Sequence, residues 1–195
     1  LLLKAPPASG KSRALMFIAL DKLIHQGVKK VIVAVPERSI GGSFGYTELS
    51  KYGFFANWQP NDKYNLCTVG ADNGKSKVET FKKFMVNDEK ILICTHATLR
   101  FAYDELDEQA FDNVLLAIDE FHHVSADAEN RLGSLLRNLI QKSAVHIVAM
   151  TGSYFRGDST PVLLPEDEAR FDKVTYNYYE QLNGYTQLKS LGIGY

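Results

Sequence analysis

Long apolar runs are missing from this chain. Nothing in its 195 residues approaches the roughly 20 consecutive apolar residues that a membrane-spanning helix needs, and no charged n-region precedes a signal-like core. Cysteine is scarce. Cys67 and Cys94 lie far apart in apolar, strand-like surroundings, which excludes a CxxC metal pair and a secreted disulfide framework and points to a reducing, cytoplasmic setting. An excess of one charge is also lacking: 22 Lys and Arg face 23 Asp and Glu, for a net charge of −1. No global basic field advertises a nucleic-acid partner, although a local groove on a neutral protein can still be basic.

What is present fits one α/β domain. The hydrophobic share of 45% and charged share of 23% are ordinary for a globular chain, and the length suffices for a buried core. Strand-like and helix-like segments alternate. Leu1–Leu3, Val28–Val35, Asn65–Val69, Ile91–Thr95, Asn113–Ile118 and Val145–Met150 read as strands; Val28–Val35 is the near-continuous β-branched run of a strand covered on both faces. Lys11–Gln26, Lys75–Val86 and Asp127–Gln141 read as helices, the last with Leu132, Leu135, Leu136, Leu139 and Ile140 on one face. The alternation predicts a mostly parallel sheet with helices on both faces and ligands at the carboxyl ends of the strands.

The segment Ala5-Pro6-Pro7-Ala8-Ser9-Gly10-Lys11-Ser12 falls where the first strand gives way to a helix. A loop there turns backbone N–H groups onto phosphate while the positive end of the helix faces the same anion. Pro7, Ala8, Ser9, Gly10, Lys11 and Ser12 are therefore the candidate nucleoside-triphosphate-binding residues. Lys11 is expected to reach the β- and γ-phosphates, and the Ser12 hydroxyl to ligate Mg²⁺. A second cluster, Ile118-Asp119-Glu120-Phe121-His122-His123, closes an apolar strand. Asp119 can hold Mg²⁺ through water opposite Ser12, and Glu120 can orient or deprotonate the attacking water. The clamp, Asp119-Glu120 and Thr151-Gly152-Ser153 all fall at predicted strand ends.

These motifs, in this order, resemble the first RecA-like motor domain of a superfamily 2 helicase or translocase of the DExH type. Asp119-Glu120-Phe121-His122 is similar to the DEAH-like motif II, with Phe in place of the usual Ala. Val35-Pro36-Glu37-Arg38 resembles motif Ia, Cys94-Thr95-His96-Ala97-Thr98-Leu99-Arg100 resembles motif Ib, and Thr151-Gly152-Ser153 stands in the place of motif III. The doubled His122-His123 and the Tyr-rich tail from Val174 to Gly184 resemble the motor subunits of type I and type III restriction enzymes. The fold so implied is a P-loop NTPase of RecA-like type over residues 1–165, with 166–195 leading toward a second motor domain.

The resemblance implies roles at matching positions. Lys11 and Glu120 would be catalytic, and Ser12 and Asp119 would hold Mg²⁺. His122, Thr151 and Ser153 would couple the nucleotide to the track, and Arg38, Thr95 and Arg100 would touch the sugar-phosphate backbone of nucleic acid, DNA rather than RNA. Backbone contact suits a motor that must bind without reading sequence. Ala5 stands where many members have Gly, Thr151-Gly152-Ser153 is not Ser-Ala-Thr, and Ser39–Ser43 is Gly-rich for the helix expected after motif Ia and reads as a loop. The implied partners are a second RecA-like domain, with nuclease or methyltransferase modules in that branch, and no membrane. The chain is expected to be a segment of a longer protein that lacks the adenine-recognition segment and the arginine fingers of the second domain, so alone it hydrolyses ATP barely or not at all.

Other residues have plainer readings. His25 is expected to cap the first helix's carbonyls; His146 has no partner at ligand spacing. Lys75, Lys77, Lys82 and Lys83 read as a solvated helix face. Phe171, Tyr176, Tyr178 and Tyr179 read as core and domain-contact residues near a strand, and Arg156 as a surface arginine rather than a finger in cis. Two other classes fit the clamp: a P-loop kinase or phosphotransferase, and a non-hydrolysing ATP-binding assembly module.

Overall fold

The computed structural model describes residues 1–68, 74–121, 131–152 and 165–184. Six parallel strands form one sheet: β1 (Leu2–Lys4), β2 (Lys30–Val35), β3 (Ile91–Thr95), β4 (Val114–Ile118), β5 (His146–Thr151) and β6 (Lys173–Thr175), in the order β3-β2-β4-β5-β1-β6. Every pairing is parallel, and the register sets Ala34 beside Cys94 and Ile118, and Lys4 beside Thr151 and Thr175. The predicted parallel sheet with helices on both faces is what forms.

The period-2 alternation of side chains along β2 divides the core. Val31, Val33 and Val35 join one cluster with Leu15, Met16 and Ala19 of α1 (Lys11–His25) and with Phe44, Leu49 and Trp58. Ile32 and Ala34 join the other, with Phe81 and Phe84 of α3 (Gly74–Val86), Leu99 of α4 (His96–Tyr103), and Leu135, Leu136 and Leu139 of α5 (Arg131–Lys142). α2 (Arg38–Gly41) follows β2 and runs into a 3₁₀ turn over Gly42–Phe44, so the Gly-rich stretch is a short helix and not the expected loop. Gly41 is required there: a Cβ on it would lie 2.3 Å from the Cβ of Cys67.

Three further sequence expectations change. Asn65–Val69 is not a strand over its described residues. Asn65 makes a single parallel bridge to Ile93, its side chain then accepts the Cys67 N–H at 3.2 Å and its carbonyl the Thr68 N–H at 3.2 Å, and this Asx turn ends the extension. His25 does not cap carbonyls: its Nδ1 lies 2.9 Å from the Asp21 carboxylate, and its ring meets Phe55 edge-on. The Tyr-rich tail is partly helical. After α6 (Pro165–Glu168) and β6, Tyr178–Gly184 forms α7, with Tyr178 and Tyr179 exposed rather than in the core. Phe171 does pack against the core. Among the lysines on α3, Lys75 and Lys83 are exposed, Lys77 is half-buried, and Lys82 pairs with Glu79 and Glu105. Among the described residues no helix is long and apolar enough to cross a membrane.

Candidate active site

The order β4-β5-β1 brings three strand ends side by side, and each delivers one part of the site. From β1 the chain passes through the clamp into α1. Gly10 takes φ 88° as N-cap and Ala8 φ 59°, left-handed values that suit Gly and strain Ala. The Ala14 N–H bonds the Gly10 carbonyl at 3.0 Å, so the N–H groups of Lys11, Ser12 and Arg13 precede the first intrahelical bond and form the positive end of α1. Lys11 Nζ donates to the carbonyls of Ala5 and Pro6, both at 3.0 Å. Its ammonium is thereby folded back over the loop. Pro7 carries no N–H and so cannot donate to phosphate; its ring lies near Gly152 and its carbonyl accepts from Gln181.

β5 contributes Thr151 and Gly152. The Thr151 carbonyl accepts the Ala5 N–H at 3.1 Å, and a Cβ on Gly152 would lie 3.4 Å from Lys11 Nζ. Of the residues expected to couple the site, Thr151 therefore touches the clamp. Ser153 and His122 lie outside the described residues, as do His123 and Arg156.

β4 contributes the acids. Asp119 is 6% exposed; its N–H bonds the Ala34 carbonyl at 2.9 Å, and its Oδ1 accepts the Glu120 N–H at 3.0 Å. Burial raises the Asp119 pKa, with Glu120 adding to the rise while the Glu120 N–H and Lys11 oppose it. Glu120 has φ 49°, a left-handed conformation costing on the order of 1 kcal/mol for a residue with a Cβ and concentrated at functional sites. His96, the first residue of α4, places Nε2 3.1 Å from the Asp119 carbonyl and so joins motif Ib to motif II.

The donor set of the clamp fits a phosphate group. Ser9 Oγ is buried in the clamp with no protein partner, a polar atom of the kind a phosphate oxygen satisfies. Among the described residues no group of three or more His, Cys, Asp and Glu could hold a metal.

The three backbone-contact candidates lie on the β3–β2 side of the sheet. Val35 pairs with Thr95, so Arg38 and Thr95 leave neighbouring strand ends, and Arg100 follows a turn later on α4. Each has a structural job. Arg38 Nε donates to the Cys67 carbonyl at 3.3 Å. Thr95 is the N-cap of α4 and accepts the Thr98 N–H at 3.2 Å. The Arg100 guanidinium stacks 4.7 Å from the Phe101 ring. Sequence reasoning missed Gln181, which is 6% exposed. Its signal was the pattern Asn177-x-x-Glu180, a capping box that starts a helix four residues before it.

The family model for the DEAD/DEAH box helicase matches residues 1–157. A Bacillus subtilis (strain 168) protein with the curated name "Putative ATP-dependent helicase YeeB" is 70% identical over all 195 residues, which cover 32% of its length. The chain thus spans about a third of this curated relative. Among solved structures, the UvsW helicase from bacteriophage T4 aligns with TM-score 0.52 over 81% of this chain and 48% of that one, at 16% identity. The Pyrococcus furiosus Hef helicase domain aligns with TM-score 0.55 over 85% and 31%, also at 16%. Identity that low shows the RecA-like fold alone. The family match spans the clamp, the Asp-Glu pair and the Thr-Gly turn that the sheet brings together, and on it the chain belongs to the DEAD/DEAH box helicase family.

Proposed function

We propose that this chain is the ATP-binding motor domain of a nucleic-acid-dependent ATPase, a helicase or translocase that hydrolyses ATP with Mg²⁺. The observation that carries the proposal is the meeting of Lys11, Asp119-Glu120 and Thr151-Gly152 at three adjacent strand ends. In this reading the N–H groups of Ala8, Gly10, Lys11 and Ser12 hold the phosphates, and Lys11 leaves the Ala5 and Pro6 carbonyls to meet them. Ser12 and Asp119 would hold Mg²⁺, which when bound would supply positive charge to the phosphates. Glu120 accepts a proton from the attacking water. Thr151, with His122 and Ser153, reports the state of the nucleotide to the track, and Arg38, Thr95 and Arg100 bind the sugar-phosphate backbone, DNA rather than RNA.

Residues 1–165 form the motor domain in this proposal and 166–195 lead to a second RecA-like domain that supplies arginine fingers. Such fingers are worth about three to five orders of magnitude in related phosphoryl transfer, so the chain by itself turns over ATP barely. The two buried free thiols fit action in the cytoplasm, and nuclease or methyltransferase modules are partners suggested by the restriction-enzyme resemblance. The test is the ATPase rate of the full-length protein with and without single- and double-stranded DNA and RNA. Stimulation by one polynucleotide supports a motor and names its track; steady turnover indifferent to all of them returns the site to phosphotransfer.

A further inference from the structure

We propose that α7 supplies the nucleoside side of the nucleotide site, with the Tyr178 ring as a stacking platform for the purine base and Gln181 fixing that platform to the phosphate clamp. The inference rests on the ATP-binding reading above and adds residues on the downstream side of the clamp.

Topology brings α7 there. β6 pairs with β1, Lys4 beside Thr175, and the Tyr176 N–H continues the ladder to the Lys4 carbonyl at 2.7 Å. The chain therefore leaves β6 at the same edge of the sheet from which the clamp leaves β1. It turns at once: the Asn177 N–H donates to Glu180 Oε2 at 2.7 Å and the Glu180 N–H to Asn177 Oδ1 at 2.9 Å. This reciprocal capping box fixes where α7 begins and how it points.

Gln181 then meets the clamp. Its amide is buried and Nε2 donates to the Pro7 carbonyl at 3.4 Å. Burying an amide only to pack a helix is unfavourable, whereas tying α7 to the clamp loop uses it. Tyr178 lies three residues earlier, on the same helical face as Gln181, and is 53% exposed; Tyr179, at 77%, points elsewhere. The ring is thus exposed on a helix that bonds the clamp loop through Gln181.

Strand order gives the nucleotide its direction. Asp119 and Glu120, which take the metal and the γ-phosphate end, lie on the β4 side of β1, and β6 lies on the other. A triphosphate with its last phosphate toward β4 carries its nucleoside toward β6 and α7. Stacking on an aromatic ring tolerates any base and contributes about 1–3 kcal/mol, so it adds affinity, while discrimination among bases needs other contacts.

The test compares ligands with and without a base. Equilibrium binding of Mg·ATP, Mg·ADP and inorganic tripolyphosphate is measured for the full-length protein and for its Tyr178→Ala, Tyr178→Phe, Gln181→Leu and Lys11→Ala variants. Tyr178→Ala is expected to weaken ATP and ADP by about tenfold and to leave tripolyphosphate within about twofold; Tyr178→Phe keeps wild-type affinity, and Gln181→Leu follows Tyr178→Ala. Because Tyr178 is exposed, its variants fold and decide the matter. Wild-type ATP affinity in Tyr178→Ala, or an equal loss for ATP and tripolyphosphate, overturns the α7 inference while the clamp reading stands. If Lys11→Ala binds ATP as tightly as wild type, the clamp reading itself fails and the α7 inference with it.

Discussion

Gly152 lies against the side chain of Lys11: a methyl group built on it would sit 3.4 Å from the Lys11 ammonium and 3.5 Å from Pro7 Cδ. The turn after β5 and the clamp loop therefore share one surface. One methyl fits at ordinary contact distance, but a branched side chain does not. Gly152→Ala is expected to bind Mg·ATP within about twofold of wild type. Gly152→Val should weaken it about tenfold or more, since overpacking costs about 1–3 kcal/mol. Titration calorimetry on the full-length variants checks the pair; equal affinities would show that the turn does not press on the clamp.

Asp119 predicts a conflict between stability and function. Burial raises its pKa, so the folded state holds the proton more tightly than the unfolded chain does. The stability this gives is fully present below the unfolded-state pKa and is lost as pH rises through the folded one. At neutral pH the buried carboxylate is a cost. Asp119→Asn keeps an oxygen for the Glu120 N–H and removes that cost. It should raise stability by on the order of 1 kcal/mol, roughly 2–4 °C in Tm, while losing Mg²⁺-dependent nucleotide binding. Thermal melts at pH 5 and pH 8 follow the effect, which should shrink at the lower pH; a variant less stable than wild type at pH 8 would refute it.

Thr95 separates a cap from a contact. Its Oγ1 accepts the Thr98 N–H at 3.2 Å, so Thr95→Ala should cost about 1 kcal/mol of stability. Thr95→Ser keeps the hydroxyl and should restore both stability and polynucleotide affinity. Melting curves read beside filter binding to single-stranded DNA would show otherwise if the Ser variant remained as weak as Ala.

Gly41 permits the close approach of α2 to Cys67. The 2.3 Å separation from a built Cβ to Cys67 Cβ cannot be absorbed by rotating a side chain. Gly41→Ala should therefore destabilise by about 1–3 kcal/mol and loosen the Arg38 contact with the Cys67 carbonyl. Urea unfolding measures it. Cys67→Gly in the same chain removes the clashing Cβ and should recover part of the loss; Cys67→Ser should not.

Most of the sheet was legible because parallel strands covered on both faces must be apolar at successive positions, as Val31–Val35 and Val114–Ile118 are. The placement of the clamp and the acids at strand ends was legible because each follows an apolar, strand-like run. Two errors came from side chains that bond their own backbone. Asn65 begins what looks like an apolar strand, but its carboxamide takes the Cys67 N–H and bends the chain. Asn177 and Glu180 cap a helix inside a segment whose alternating tyrosines suggest a strand. The Gln181–Pro7 contact spans 174 positions, and no local pattern encodes it. Nor does the sequence show that Arg38 and Thr95, expected at a nucleic acid, hold the fold as well.

The central claim is that Glu120 does the chemistry at a site that Lys11 and Asp119 assemble. Its most direct test is the polynucleotide-stimulated ATPase rate of full-length Glu120→Gln, read beside Mg·ATP affinity. Loss of a general base typically removes about two to four orders of magnitude in rate. The account predicts a fall of at least about a hundredfold with affinity held within about threefold of wild type. Turnover within about threefold of wild type would contradict it and take the base away from Glu120.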